Sequence, residues 1–313
     1  MIAALPCAAS AAPKPLQQLR REVRRIAAHF PAQSAFEVLD LSSGLAAGYN
    51  ADASMPAAST IKIAIMVEVF KRLERGDFAL DFRVGLHESD KDDGSGDLCD
   101  APIGSMYSVS DLLARMIDVS DNTAANMLIR LVGRQNINRD MYRLGLHHTH
   151  LTNYIRTNGW AVRTQLRSSP ADMVRLLQLM AQRRLIDEWS SNEMIDILES
   201  DQFNTLLPQP LPDDVAIAHK TGSLFDTLND VGIVYADGAP YVIAVMTTAL
   251  PSRGAGRAFI HDLSRIVYRG ELRLAAWRIA RGLTSFDIGT AHIPNAPDVR
   301  YWDNAATEGT GGL

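Results

Sequence analysis

Three short groups of residues along the chain combine a nucleophilic, a basic and several hydrogen-bonding side chains. They are Ser59-Thr60-Ile61-Lys62 at the start of an apolar stretch, Ser120-Asp121-Asn122, and Lys220-Thr221-Gly222-Ser223. If Ser59 opens a helix, Lys62 lies on the same face one turn later, within reach of the serine hydroxyl. Burial in so apolar a helix disfavours the ammonium form of the lysine. The first group therefore predicts a serine nucleophile with a lysine as its proton acceptor.

Each group also has an ordinary structural explanation. Ser59 could be a serine at a helix N-terminus, followed by a lysine whose stem runs along apolar surface to water. Serine, aspartate and asparagine are all common N-caps, so the second group alone indicates only a helix start. The third group could be a solvated strand end, although lysine and glycine are unusual near the end of an apolar strand. There Gly222 would let a ligand backbone approach, while Lys220 and Thr221 can hold a carboxylate.

The bulk composition limits the classes of protein to which the chain can belong. Its 313 residues are 47% hydrophobic and 21% charged, which is typical of a globular protein with a substantial core. The formal net charge of -5, from 31 basic and 36 acidic residues, argues against a nucleic-acid-binding protein. No apolar run reaches the roughly 20 residues of a membrane span, and Cys7 and Cys99 match neither a disulfide framework nor a zinc site. We expect a monomer that acts on a small molecule, with no metal or other cofactor, no nucleic-acid partner and no membrane span.

The periodicity of apolar residues places strand-forming segments near both ends of the chain and a helical block between them. The turn signal Ser42-Ser43-Gly44 joins two short strands, and Ser169-Pro170 begins a helix with an N-cap followed by proline. Helices are predicted at residues 15–30, 59–76, 110–116, 122–131, 136–144, 170–184, 187–199 and 255–281, and strands at 35–41, 46–49, 215–221, 230–235 and 241–248. This order predicts an α/β (α+β) fold in which a helical domain is inserted into a discontinuous sheet domain, with the active site at the seam.

The expected domain boundaries follow from the same pattern. The sheet domain should comprise residues 15–58 and 205–282, the helical domain residues 59–204, and a C-terminal extension residues 283–313. Residues 1–14 are apolar and Ala-rich, and Ala9-Ser10-Ala11 resembles a signal-peptidase site, but a basic n-region is missing. We interpret them as a truncated signal peptide, which predicts a periplasmic or secreted protein, or alternatively as the disordered start of a cytosolic one.

The three groups, in this order, resemble the motifs of the class A β-lactamases and their penicillin-binding relatives. The likeness extends to Gly94-Ser95-Gly96-Asp97-Leu98, to Leu144-Gly145-Leu146 and to Asn229-Asp230 before a strand, and it covers roughly residues 16–282. The resemblance implies a β-lactamase/transpeptidase-like fold, with an antiparallel five-stranded sheet flanked by helices and an inserted all-α domain.

The resemblance also implies four catalytic side chains. Ser59 would be the nucleophile that opens an amide or β-lactam carbonyl, and Lys62 would be its activating base. Ser120 would relay a proton to the departing nitrogen, and Asn122 would help to arrange the site.

A second set of residues is implied for substrate binding. The backbone N–H groups of Ser59 and Ser223 would form the oxyanion hole. An additional cation often assists carboxylate binding in this family, and Arg257, with Arg253 behind it, is the candidate here. The implied substrate-binding residues are Lys220, Thr221, Gly222, Ser223 and Arg257.

One catalytic element of the family is missing from this chain. Class A β-lactamases carry a glutamate on the loop before the helix that begins here at Pro170, and this glutamate is the base for deacylation. No Asp or Glu occurs between Asp140 and Asp172, and the interval is basic instead. Loss of a positioned general base typically slows a step about 100- to 10,000-fold. The sequence leaves Glu88 and residues 90–93 as the nearby carboxylates that could substitute.

Three functions fit these features. The leading one is a serine hydrolase of the class A β-lactamase family that β-lactams acylate at Ser59, with opening of the ring and slow deacylation. A D-alanyl-D-alanine peptidase or esterase on the same scaffold is the second, because a different acceptor relaxes the need for the glutamate. The third is a β-lactam-binding sensor that is acylated without turnover.

Overall fold

The computed structural model describes residues 12–157 and 162–283, and segments near both ends of this chain form one antiparallel sheet. The strands are β1 (Gln33–Asp40), β2 (Ala46–Tyr49), β3 (Met55–Pro56), β4 (Arg83–Gly85), β5 (Met106–Ser108), β6 (His150–Leu151), β7 (Leu166–Ser168), β8 (Ile217–Leu224), β9 (Thr227–Val234) and β10 (Tyr241–Thr248). Five of them form the main sheet in the order β2-β1-β10-β9-β8, so β8 is an edge strand. A two-residue turn joins β8 to β9, and their register pairs Leu224 with Thr227 and Gly222 with Asn229.

Helices cover both faces of this sheet. They are α1 (Lys14–Ala28), α2 (Lys62–Glu74), α3 (Val109–Asp118), α4 (Asn122–Val132), α5 (Arg134–Arg143), α6 (Val162–Gln165), α7 (Pro170–Ala181), α8 (Glu188–Glu199) and α9 (Arg253–Ile279). On one face, α1 and α9 pack together over the sheet through a buried apolar stripe that includes Leu16, Leu19 and Val23. A Cβ on Gly270 of α9 would lie 2.7 Å from Leu19 Cδ1, so the absence of a side chain there lets the two helices approach.

The opposite face of the sheet packs against the helical part of the chain, with α7 in contact with β10, β1 and β9. Along β10, Ile243 and Val245 belong to the core under α1 and α9, whereas Val242 and Ala244 belong to the core under α7. This alternation follows from the two-residue period of a strand. Because both faces are covered, all eight residues of β10 are buried.

Helix α2 lies at the centre of the helical part. Its residues from Lys62 to Lys71 are all buried, and it contacts α3, α4, α5 and α8. A helix that is apolar almost all round requires such complete enclosure. The first residue of α2, a lysine, is therefore held in the core rather than at the surface.

The predicted five-stranded antiparallel sheet with flanking helices is confirmed. Three boundaries were wrong by three residues: Ser59 lies in a 3-10 turn, Ala58–Ile61, that precedes α2, β9 begins at Thr227 rather than residue 230, and α7 ends at Ala181 rather than residue 184. Tight 3-10 turns are common at helix N-termini, and a two-residue turn leaves no loop between β8 and β9. The short strands β3 to β7 have two or three residues each, too few for a periodic pattern.

The division into a sheet domain and a helical domain stays a prediction. Most of residues 1–14 and 283–313, for which a signal peptide and a C-terminal extension are expected, lie outside the described residues. Within the described part of the chain, every helix is too short or too polar to cross a membrane.

Candidate active site

Ser59 lies in a tight turn between β3 and α2. The preceding residue, Ala58, has a φ of 50°, in the left-handed region that alanine rarely adopts. Two side chains fix this turn: Thr60 Oγ1 donates to Ala57 O at 2.7 Å, and Asn229 Nδ2 donates to the carbonyl oxygens of Pro56 and Ala57 at 2.8 and 3.0 Å. Such locally unfavourable backbone persists where the surroundings determine it, and it is common at functional sites.

Lys62 is fully buried beneath Ser59 and points towards the second motif. Its Nζ donates to Ser120 O at 2.5 Å, to Ser120 Oγ at 3.0 Å and to Asn122 Oδ1 at 2.8 Å. The structure gives no hydrogen bond between Lys62 and Ser59 among the described residues. Burial, and next the charge of Lys220, lower the pKa of Lys62 well below its ordinary value, against the opposing effect of nearby aspartates. A lysine with a lowered pKa is suited to accept a proton near neutral pH.

The second motif is a helix start with unusual geometry. Ser120 has a φ of 57°, and Asp121 is the N-cap of α4, accepting from Ala124 N at 2.7 Å. The other oxygen of the Asp121 carboxylate accepts the N–H groups of Asp97 and Leu98, each at 2.9 Å. The N-cap explanation is therefore correct for Asp121. At the same time the cap turns Ser120 and Asn122 towards Lys62, so the motif has both roles.

The third motif lies on the edge strand β8. Lys220 is fully buried, and its Nζ donates to Asp201 Oδ2 at 3.0 Å, an ion pair in which both side chains are inaccessible to water. Burial lowers the pKa of Lys220, and Asp201 counteracts this effect. Asp201 also accepts the N–H of Thr221 at 3.0 Å.

The hydrogen bond from the N–H of Thr221 to Asp201 shows which way the N–H of Ser223 points. The N–H of Thr221 points away from β9, and N–H groups alternate along a strand, so the N–H of Ser223 also points away from β9. A Cβ on Gly222 would lie 3.0 Å from Ser59 N, which places the strand edge directly against the turn that carries Ser59. The two N–H groups expected to form an oxyanion hole, those of Ser59 and Ser223, are thus on adjoining segments.

These segments line an open cleft with about 690 Å³ of empty space, which includes solvent at its mouth. Its walls include Ser59, Ser120 and Asn122 on the helical side and residues 221–224 on the strand side. Lys62 and Lys220 lie beneath this surface, since both are 0% exposed. The structure therefore brings all three motifs together at the seam between the sheet and the helices.

No Asp or Glu is among the described residues that line the cleft. Of the carboxylates that the sequence left as substitutes, Glu88 is exposed on a 3-10 turn, and Asp90 is buried and forms an ion pair with half-buried Arg130 at 2.9 Å. Asp92 is buried and accepts from Asn122 Nδ2 at 2.8 Å, just behind the cleft wall. Arg257 lies exposed on α9 outside the cleft lining, whereas Arg253 donates to the carbonyl of Leu224, which is part of that lining, at 3.2 Å.

Sequence reasoning missed several residues of this site. Asp201 is 19 residues from its partner Lys220, and no motif marks it. Thr157 and Phe203 also line the cleft, and the Phe203 ring lies 5.7 Å from Lys220 Nζ. Their contribution depends on long-range packing, for which the local sequence carries no signal.

Comparisons with known proteins agree with this architecture. The family model described as the beta-lactamase enzyme family matches residues 18–270. The chain is similar to a mutant of PBP-A solved as an acyl-enzyme complex with penicillin G, with 29% identity, coverage of 82% of this chain and 97% of that chain, and a TM-score of 0.78. It is similar to the beta-lactamase from Sphaerobacter thermophilus DSM 20745, with 29% identity, coverage of 81% and 98%, and a TM-score of 0.76. An ancestral class A beta-lactamase, GNCA, has 25% identity, coverage of 80% and 99%, and a TM-score of 0.72. The predicted β-lactamase/transpeptidase-like fold is confirmed.

Proposed function

We propose that this chain, which belongs to the beta-lactamase enzyme family, is a serine hydrolase that β-lactams acylate at Ser59. The observation that carries the proposal is the convergence of Ser59, Ser120 and the Thr221–Ser223 edge on one cleft, with buried Lys62 hydrogen-bonded to Ser120. The PBP-A mutant that shares 29% identity with this chain was solved as an acyl-enzyme complex with penicillin G, which supports a β-lactam as substrate.

Acylation would begin when neutral Lys62 takes the proton of the Ser59 hydroxyl and Ser59 Oγ attacks the β-lactam carbonyl. The C–N bond of the ring then breaks, and Ser120 gives its proton to the departing nitrogen. Lys62, 3.0 Å from Ser120 Oγ, returns a proton to Ser120 and becomes neutral again. Asn122 holds Lys62 in place from the other side.

The strand edge would hold the substrate. The N–H groups of Ser59 and Ser223 stabilise the negative charge that develops on the carbonyl oxygen. Thr221, Gly222 and Ser223 form the cleft wall that receives the rest of the molecule, and buried Lys220 supplies positive charge for a carboxylate. Arg257 and Arg253 stay candidates for an additional cation at the end of this edge.

Deacylation is proposed to be slow. No carboxylate is among the described cleft-lining residues, and none occurs in the interval where the family's glutamate lies. Water attack on the ester at Ser59 then lacks a positioned general base.

Intact mass spectrometry of the purified protein with benzylpenicillin tests both parts of the proposal. We expect a persistent mass increase of one whole benzylpenicillin, because ring opening releases no leaving group. The Ser59→Ala variant should take no adduct, whereas Ser110→Ala, an exposed serine on α3, should be acylated like the wild type. An adduct on Ser59→Ala would refute the nucleophile. Nitrocefin turnover at or above the typical enzyme rate of about 10 per second would refute slow deacylation.

A D-alanyl-D-alanine peptidase or esterase is the second candidate, favoured by the same lack of a carboxylate and by the similarity to PBP-A. An amine acceptor is itself a nucleophile and needs less activation than water does. A peptide ending in D-alanyl-D-alanine should then release D-alanine, faster with an added amine than without. Failure to release D-alanine under conditions where benzylpenicillin acylates Ser59 would exclude the peptidase and leave the esterase, the β-lactam hydrolase or the sensor.

Location and assembly are also proposals. We propose a monomer exported to the periplasm or beyond, on the basis of family membership and the Ala9-Ser10-Ala11 pattern. Cell fractionation and light scattering in solution test these two points.

A further inference from the structure

Asp92 occupies a buried position where three segments of the cleft meet. It follows the 3-10 turn Glu88–Asp90 and is 7% exposed. Its Oδ1 accepts from Gly94 N at 3.1 Å, Asn122 Nδ2 at 2.8 Å and Thr157 Oγ1 at 2.9 Å, and its Oδ2 accepts from Thr157 N at 2.9 Å.

These contacts decide against a role as the missing general base. An ionised carboxylate offers about four acceptor positions on its two oxygens. Here the protein supplies four donors to Asp92, three to Oδ1 and one to Oδ2, and the carboxylate is not among the described residues that line the cleft. A base has to reach the attacking water, and this carboxylate lies behind the cleft wall, tied to the loops that form it.

The same contacts fix the orientation of Asn122. A carboxylate only accepts hydrogen bonds, so Asn122 must turn its amide nitrogen towards Asp92 and its oxygen towards Lys62. Rotation of the amide by half a turn would bring its nitrogen against the lysine ammonium. Asp92 therefore determines that Lys62 meets the oxygen of the Asn122 amide and not its nitrogen.

Asp92 also joins the two loops that border the cleft on the helical side. Gly94 and Thr157 both line the cleft, and each is hydrogen-bonded to Asp92. A Cβ on Gly94 would lie 2.1 Å from Thr157 Cγ2, so the loops are in direct contact above the carboxylate. Loss of the shared acceptor would release both loops together.

We propose that Asp92 is a positioning residue for acylation at Ser59, which holds the Asn122 amide towards Lys62 and clamps the Gly94 and Thr157 loops into one cleft wall. The inference rests on the proposed function. It assigns Asp92 no contact with the reacting atoms.

The charges around Lys62 give a readout that a purely structural residue would not affect. Burial and the charge of Lys220 lower the pKa of Lys62, and three carboxylates, those of Asp121, Asp92 and Asp201, raise it. Removal of the Asp92 charge should lower the Lys62 pKa further. The acid limb of the rate profile, where Lys62 becomes protonated, should then move to lower pH.

The test measures the second-order rate of acylation by a fluorescent penicillin from pH 5 to pH 9 for the wild type and Asp92→Asn. We expect the plateau rate of Asp92→Asn to fall on the order of 100-fold, the scale of a misplaced catalytic group, and its acid limb to move to lower pH. Asp81→Asn removes the same charge from an exposed side chain outside the cleft lining and should keep both the plateau and the limb of the wild type.

Thr157→Val keeps the shape of the side chain and removes only one donor to Asp92. It should lower the plateau less than Asp92→Asn and leave the acid limb in place, which tests the clamp even if Asp92→Asn does not fold. A wild-type plateau in Thr157→Val would overturn the clamp.

A lower plateau with an unmoved acid limb in Asp92→Asn would reduce Asp92 to a structural residue and overturn the proposal. If the wild type itself takes no adduct, the proposed function fails first. If it is acylated and Asp92→Asn matches it, this inference alone fails.

Discussion

Replacement of Glu271 by glutamine should remove a large part of the pH dependence of folding stability. Glu271 lies on α9 with 2% of its surface exposed, and its Oε2 has no hydrogen-bond partner among the described residues. Burial first, and then the negative charge of Asp40, raise the pKa of Glu271 to about 8 from an ordinary value of 4.5, while Arg278 acts in the opposite direction. The carboxyl group is therefore neutral in the folded protein at pH 6, where it is charged in the unfolded chain.

The sign and size of the effect follow from this difference. A carboxyl group whose pKa is raised on folding contributes stability that is fully present below pH 4.5 and is lost as the pH rises through about 8. A shift of about 3.5 units corresponds to about 5 kcal/mol at most, of which about 3 kcal/mol is lost between pH 4.5 and 7. Glutamine has the shape of the neutral carboxyl group and does not titrate, so the Glu271→Gln variant should escape this loss.

Urea unfolding at pH 5, 6, 7 and 8 measures the effect as the difference in free energy of unfolding between variant and wild type. Glu37 and Glu68, whose pKa values are raised to about 7, also lower the free energy of unfolding as the pH rises. This decline is the same in both proteins, so it cancels when the variant is compared with the wild type. Relative to the wild type, Glu271→Gln should gain stability steadily from pH 5 to 8. Glu74→Gln, an exposed position at the end of α2, should show no such gain. Parallel pH profiles for Glu271→Gln and the wild type would refute the reasoning.

Three further predictions concern the cleft. Lys62→Met keeps the buried volume and removes the proton acceptor, so acylation by a fluorescent penicillin should slow about 100- to 10,000-fold. The midpoint of thermal unfolding should stay at its wild-type value. An unchanged rate of acylation would exclude Lys62 as the base. Asp201→Asn leaves the buried Lys220 ammonium without its counterion, and urea titration should give a loss of about 3–5 kcal/mol that the double variant with Lys220→Met largely recovers. No recovery in the double variant would show that the ion pair is not the cause. Gly222→Ala places a Cβ 3.0 Å from the backbone atoms Ala57 O and Ser59 N. The variant should be acylated more slowly, with an unchanged circular dichroism spectrum. A wild-type rate of acylation would mean that the strand edge can move away freely.

The local sequence was sufficient for the elements that depend on local patterns. The strand Ala46–Tyr49 and the helix starts at Asn122 and Pro170 lie where periodicity, N-caps and proline predicted them. It failed where geometry is set by contacts between distant segments. The first turn of the helix predicted from Ser59 is a 3-10 turn, and α2 begins only at Lys62, because Asn229, about 170 residues away, holds the carbonyl groups of Pro56 and Ala57.

The candidate site shows the same division between local and long-range information. From sequence alone, Lys62 was expected to reach the hydroxyl of Ser59, one helical turn away. In the structure its hydrogen bonds go to Ser120 and Asn122, 58 and 60 residues along the chain. Arg257 was chosen by its place in the sequence, but α9 leaves it exposed outside the cleft lining.

The sequence by itself determined which chemical groups are available: a serine with a lysine on the following turn, a second serine, a lysine on a strand edge, and no acidic residue between Asp140 and Asp172. These are facts of residue type and order, and folding cannot change them. Only the tertiary structure decided which charges act on one another. Buried Asp201 became the partner of Lys220, and Asp92 became the acceptor for Asn122 and Thr157 rather than a free base. Charge interactions depend on distance and on exclusion of water, and packing alone sets both.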